Sequence, residues 1–240
     1  TMVRHKEVFQ VEKGNWKYMI LRAGFGTLGI LCNFYAVDHL VLSDASMLNK
    51  MSPFFVILFS FLILKEKLTP IQVTAVCGAF IGSLFIIKPT FLNMNIVPSL
   101  IGLCGGLCAG IAYTMVRVLG QRGQKGVSVV LFFSGFSCLV TLPYLLLNYH
   151  TMSMWQGIVL LGAGVAAAGG QFAITAAYYH APAREISVYD YSQIIFSAII
   201  GFALFHQIPD RYSVLGYVII IGMAVWMFFY NQRRDASDVK

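Results

Sequence analysis

Eight apolar runs follow one another along this chain: Lys17–Val37, Ala45–Leu64, Ile71–Ile87, Val97–Val116, Val127–Leu147, Trp155–Tyr178, Ile186–Phe205 and Val214–Tyr230. Each approaches the roughly 20 residues that a helix needs to cross a hydrocarbon core of about 30 Å. Turn chemistry separates them, at Lys88-Pro89, Gly120–Gly126, Asn148–Ser153, Ala181-Pro182 and Ile208-Pro209-Asp210. A bilayer leaves unsatisfied backbone polar groups with no water, so a chain of this pattern spans it as helices. The expected fold is an all-α polytopic membrane protein with eight transmembrane helices. The breaks are too short to house a soluble catalytic domain.

Charge supports that reading and adds an orientation. Only 11% of the residues are charged, against about 25% in soluble domains. The net charge of +7 does not form the basic stripe on a folded face that nucleic-acid binding needs; the cations sit between apolar runs. With the N-terminal loop taken as cytoplasmic, Arg4, Lys6, Lys13, Lys17, Arg22, Lys65, Lys67, Arg117, Arg122, Lys125, Arg184, Arg233, Arg234 and Lys240 fall inside. Only Lys88 and Arg211 fall outside. This asymmetry is the positive-inside pattern. It predicts a multi-pass protein of the cytoplasmic membrane with both termini of this chain cytoplasmic.

The stretch Ser43–Lys67 departs from a plain span. Its first third carries Asp44, Ser46, Asn49, Lys50 and Ser52, and Pro53 follows. Lys50 lies about seven residues past the outer end, hence roughly 10 Å deep at 1.5 Å per residue. A charge at that depth is costly and marks a functional site by default. The bland alternative is a lysine that snorkels back along its own stem. Pro53 lacks an N–H and is expected to kink the helix beside this polar stretch.

A shift of 141 residues lays 17–64 over 158–205 without a gap. Ala36 meets Ala177, Phe55 meets Phe196, and the stripe Ser46, Asn49, Ser52 meets Ser187, Asp190, Gln193. The two copies run in opposite directions by the charge count, as in the inverted repeats of many secondary transporters. The repeat also predicts missing partners. The counterparts of Val97–Leu147 would precede residue 1, so the chain is expected to be part of a ten-helix, five-plus-five bundle without its first two helices.

Ala36, Asp44-Ala45-Ser46, Pro53 within the span, the Leu64–Lys67 run LKEK and the glycine-containing span 78–89 together resemble the EamA domain of the drug/metabolite transporter superfamily. Ala176–Met227 is similar to a second copy, with Gln207 where the first has Glu66 and no counterpart of Pro53. The resemblance implies a secondary-active transporter of a small metabolite working by alternating access around a central cavity. It divides the chain into a cytoplasmic loop (1–16), the last three helices of one repeat (17–88), five helices of a second (97–230) and a cytoplasmic tail (231–240). A non-transporting fragment is one alternative reading.

Candidate cavity residues are Asn33, Asn49, Lys50, Tyr113, Gln171, Asp190, Tyr191 and Gln193. Ser187, Asp190, Gln193 and Ser197 recur at helical spacing, which turns that stripe toward the bundle interior. Interhelical hydrogen bonding is the competing role for each. Asp190, repeat partner of Asn49, is the expected counter-charge of Lys50 and the expected proton-coupling group, since burial raises a carboxylate's pKa and a nearby cation lowers it. Together the two charges favour a zwitterion such as an amino acid, or an organic anion. No nucleophile or metal signature such as GxSxG or HExxH occurs, so an intramembrane enzyme is disfavoured and neither a cofactor nor a metal is expected. Cys32, Cys77, Cys104, Cys108 and Cys138 form no CxxC pair. Gly78-x3-Gly82, Gly102-x3-Gly106 and Gly106-x3-Gly110 permit close helix approach and read as a packed bundle, with a homodimer left open. The expected partners are therefore the lipid bilayer and a small-molecule substrate.

Overall fold

The structure is a computed structural model that describes residues 11–12, 14–64, 69–87, 96–148, 151–180 and 192–238. All regular structure among them is helical. The helices are α1 (Trp16–His39), α2 (Leu42–Asn49), α3 (Ser52–Leu64), α4 (Pro70–Ile87), α5 (Ile96–Gln121), α6 (Gly126–Leu147), α7 (Met154–His180), α8 (Ser192–Phe205) and α9 (Arg211–Asp238). Among the described residues, six segments are long and apolar enough to cross a membrane: α1, Leu42–Ile63 across α2 and α3, α5, α6, α7 and Arg211–Tyr230 of α9. The remaining two expected spans correspond to α4, whose apolar part Val73–Ile86 is shorter, and to α8, described only from Ser192. The protein is thus an all-helical polytopic membrane protein, as the apolar runs predict.

Contacts divide the chain into two units. The larger comprises residues 28–114 and 182–240. Its core joins Ala36, Met47, Leu48, Met51, Phe54, Phe55, Ala79, Ile220, Ala224 and Met227. Small residues set the spacing of its helices, because in lipid the association of helices depends on close packing more than on the hydrophobic effect. At the α4–α9 contact, a Cβ on Gly216 would stand 2.7 Å from the Gly82 carbonyl, and a Cβ on Gly82 would stand 3.1 Å from the Gly216 carbonyl. Neither position has room for a side chain unless the backbones part.

The second unit comprises residues 1–27 and 115–181, and its described helices are the start of α1, the end of α5, α6 and α7. Gln124 ties its loops together. The Gln124 side-chain oxygen accepts the Glu12 N–H at 3.1 Å and the Asn15 amide at 3.4 Å, while its carbonyl accepts the Tyr179 hydroxyl at 2.7 Å. On α7, Thr175 and Tyr178 are buried, whereas Trp155, Leu160, Leu161 and Val165 are exposed. An apolar surface of this kind is suited to lipid rather than to water.

Candidate functional site

The span that carries Lys50 is two helices, not one. Helix α2 ends at Asn49, Lys50 and Met51 form a turn, and α3 begins at Ser52. The turn is closed by the Met51 N–H on the Leu48 carbonyl at 3.2 Å, and the Phe54 and Phe55 N–H groups then bond to the Met51 carbonyl at 3.1 and 3.2 Å. Pro53 accounts for the break differently from the expected mid-helix kink. It sits in the first turn of α3, where an N–H has no intrahelical partner to lose. The interruption therefore lies just upstream of the proline, at Lys50 itself.

Helix α5 supplies the surface on which this break rests. A Cβ on Gly106 would stand 2.6 Å from the Leu48 carbonyl oxygen and 3.2 Å from that of Asn49. One turn on, a Cβ on Gly110 would meet Phe55 Cβ at 2.4 Å and the Ser52 carbonyl at 3.1 Å. The glycine stripe, which spacing alone shows only as a packing motif, is a groove that receives the interrupted backbone. On its other side, Gly105 packs on Cys32 and on the backbone of Asn33 in α1. Asn33 and Asn49, both half-buried, thus adjoin neighbouring glycines of α5. Tyr113 is half-buried on the same helix.

Charge follows the polarity of α2. Asp44 lies in its first turn and Lys50 at its C-cap, where the helix dipole favours an acid and a cation respectively. Both are deeply buried, with Asp44 8% and Lys50 7% exposed. Tyr217 of α9 donates to the Asp44 carboxylate and lies 2.9 Å from Ser43 Oγ. Ser46 and Ser197 of α8 meet at 2.8 Å. Gln207 caps α2 from 165 residues away, its side-chain oxygen accepting the Leu42 N–H at 2.9 Å. Local geometry aims it there. His206 takes φ +52° at the end of α8, with the His206 N–H on the Phe202 carbonyl and the Gln207 N–H on the Gly201 carbonyl, the left-handed ending that usually employs glycine.

The sequence candidates separate accordingly. Asn49 and Lys50 lie at the break, with Asn33 and Tyr113 on the two helices beside it. Gln171 belongs to the other unit, where it accepts a hydrogen bond from Arg22 Nη2 at 3.0 Å. Gln193 is exposed in the first turn of α8, and α8 meets α2 one turn further on, at Ser197. Asp190 and Tyr191 lie outside the described residues. Sequence reasoning passed over Tyr217 and the capping role of Gln207. Tyr217 sits in a continuous apolar run and offers no polar periodicity to flag it.

Comparison with known proteins places this architecture. Residues 2–88 and 100–229 match the profile described as the EamA-like transporter family. The chain is 32% identical over 206 residues to the pseudopaline exporter CntI of Pseudomonas aeruginosa, covering 85% of this chain and 72% of that protein. It is 27% identical over 226 residues to the riboflavin transporter of Brucella anthropi, covering 91% and 77%. It is 23% identical over 222 residues to the S-adenosylmethionine uptake transporter of Rickettsia prowazekii, covering 91% and 74%. One solved crystal structure aligns over 97% of this chain and 82% of its own with a TM-score of 0.61 at 17% identity, a likeness of fold.

Proposed function

The chain belongs to the EamA-like transporter family, and from that premise we propose that it is a secondary-active transporter that moves an amino acid or related organic anion by alternating access. The observation that carries this reading is Lys50, a cation 7% exposed at a break inside an apolar span. Broken helices at membrane depth are the usual site architecture of secondary transporters, because their free backbone groups and half-helix ends serve as ligands. Here the C-terminal end of α2 and the Lys50 side chain lie with Asn49 and Ser52 in a polar stretch of an apolar span. Lys50 favours a carboxylate or phosphate on the substrate.

Relatives named for pseudopaline, riboflavin and S-adenosylmethionine share transport of a small organic molecule but no single cargo. The antiparallel copies in the sequence and the excess of Lys and Arg in alternate loops support an inverted repeat in the cytoplasmic membrane, with both ends of this chain inside. Asp190 is the proposed proton-coupling carboxylate.

Proteoliposomes containing the full chain test the reading. Loaded with a mixture of amino acids, organic anions, amines and nucleosides, they are expected to release a subset that empty liposomes retain. Release of nothing above the empty control, with the protein folded and inserted, contradicts it. Asp190→Asn is expected to abolish the response to an imposed pH gradient; an undiminished response removes Asp190 from the coupling step.

A further inference from the structure

Helix ends of the smaller unit meet at one place, and cations gather there. Helix α5 ends at Gln121 and α6 begins at Gly126. Between them, the Gln124 carbonyl accepts the hydroxyl of Tyr179, next to the end of α7. Lys17 is the second residue of α1, and Arg122 follows the last of α5. These four helices are long and apolar enough to cross a membrane, so their shared end belongs where a span gives way to headgroups. Among the described residues of this unit, Lys17, Arg22, Arg117, Arg122 and Lys125 stand against a single acid, Glu12.

Two of those cations, both exposed, converge on one ring. Lys17 Nζ lies 4.8 Å from the centroid of the Tyr18 ring, and the Arg122 guanidinium carbon lies 4.6 Å from it. Arg122 Nη2 also donates to the Tyr18 hydroxyl at 3.4 Å. The ring is neutral, and among the described residues no carboxylate lies within ion-pair distance of either cation. Glu12 makes its contact here through its backbone N–H. Like charges gathered in this way repel, and a shared anion relieves the repulsion. A phosphate suits the pair, with the ammonium as a point charge and the guanidinium as a fork.

The surface beside them is apolar. Trp16, 48% exposed, meets the Phe132 ring edge-on at 5.8 Å, and Phe132 stacks on Phe136 at 6.4 Å. Ile20, one turn along α1 from Trp16, is exposed as well. Tryptophan at a span end is the usual residue of the headgroup level. A free phosphate would use the cations and leave this aromatic row without a role, whereas a phospholipid uses both. On the orientation that the Lys and Arg distribution favours, this end meets the cytoplasmic leaflet, where anionic lipids reside.

We propose that Lys17, Arg122 and the Tyr18 ring they share form a binding site for the phosphate headgroup of an anionic phospholipid, whose acyl chains lie along Trp16, Ile20 and Phe132. The site is distinct from the transport reading and stands without it.

The test titrates the full chain, purified in neutral detergent, with phosphatidylglycerol or phosphatidylcholine and follows its melting temperature. Phosphatidylglycerol is expected to raise it by several degrees more than phosphatidylcholine, and added salt is expected to shrink the difference. In K17Q/R122Q the half-saturating phosphatidylglycerol concentration is expected to rise by about tenfold or more, a few-fold for each cation at a membrane surface. Y18L removes no charge, yet it is expected to weaken the response because both cations lose the face that holds them; it serves if the double variant does not fold. R211Q/R233Q removes the same charge from exposed positions of the other unit and is expected to leave half-saturation at the wild-type value. Equal responses of the wild type to the two lipids overturn the assignment. So does an unchanged half-saturation in K17Q/R122Q or in Y18L, or an equal loss in R211Q/R233Q. Inorganic phosphate at constant ionic strength is expected to produce little of the rise; a rise equal to that of phosphatidylglycerol overturns the lipid as occupant.

Discussion

Two cations lie inside apolar helices of this protein, and the chain accommodates them in opposite ways. Lys50 sits where the helix stops. The eight-residue α2 ends on it, the backbone turns, and α5 offers glycines to the interrupted strand of carbonyls. Arg22 sits in a helix that continues through it from Trp16 to His39, and among its neighbours are the Phe133 ring, 4.0 Å from the guanidinium carbon, the Gln171 side-chain oxygen at 3.0 Å and the notch at Gly26. In the first case the backbone is remodelled around a charge; in the second the backbone is regular and the neighbours are chosen. The difference teaches that a buried cation in a membrane helix can be met at a helix end or among packed side chains. These two solutions respond to different mutations.

The contrast is broken most severely at the groove. G106V places a branched side chain where a single Cβ already stands 2.6 Å from the Leu48 carbonyl, and overpacking of this kind costs about 1–3 kcal/mol or more. A melting temperature many degrees below wild type in detergent is expected, with α2 and α3 displaced from α5. By comparison, G26A meets only the movable tip of Arg22 and the edge of a ring. The protein is expected to stay folded, with a smaller fall in melting temperature than in G106V. If the two variants were to lose stability equally, the distinction between backbone and side-chain accommodation would not hold.

Next in size is Y217F. It leaves the buried Asp44 carboxylate without the hydroxyl that donates to it, and an under-satisfied buried acceptor costs about 1–3 kcal/mol. Thermal unfolding of the variant measures the loss. Q207A removes the side chain that caps α2, a loss of about 1 kcal/mol on the scale of helix caps; increased hydrogen exchange at Leu42 is its signature. The smallest effect is a gain. H206G relieves a left-handed residue at φ +52°, worth up to about 1 kcal/mol before the extra freedom of the unfolded chain is counted.

Much of the fold was legible because membrane insertion writes itself into composition: apolar runs of span length gave the helices and their approximate ends. Their interruptions were less visible. Pro53 announces a disturbance, but only the packing against Gly106 and Gly110 shows that the helix ends at Lys50 rather than bending at the proline. Lys50 was found because a lone cation within a long apolar run stands out. Arg22 was missed for the converse reason: six residues from the end of a helix, and beside Lys17, it looks like any loop cation that sets orientation. Burial separates Arg22 from such a loop cation, and burial is not written in the sequence near a helix end. For Ser197 the stripe shows the face that residue shares but not that α2 meets it there rather than a turn earlier.

The central claim is that Lys50, at the break between α2 and α3, belongs to the transport site. The most direct measurement is the initial transport rate of K50A against wild type in proteoliposomes, at matched protein insertion and with the melting temperature of each preparation recorded. The account predicts a rate reduced by about tenfold or more, the scale of a lost charge-assisted contact, in a protein that unfolds cooperatively. A K50A protein that transports at the wild-type rate would contradict it.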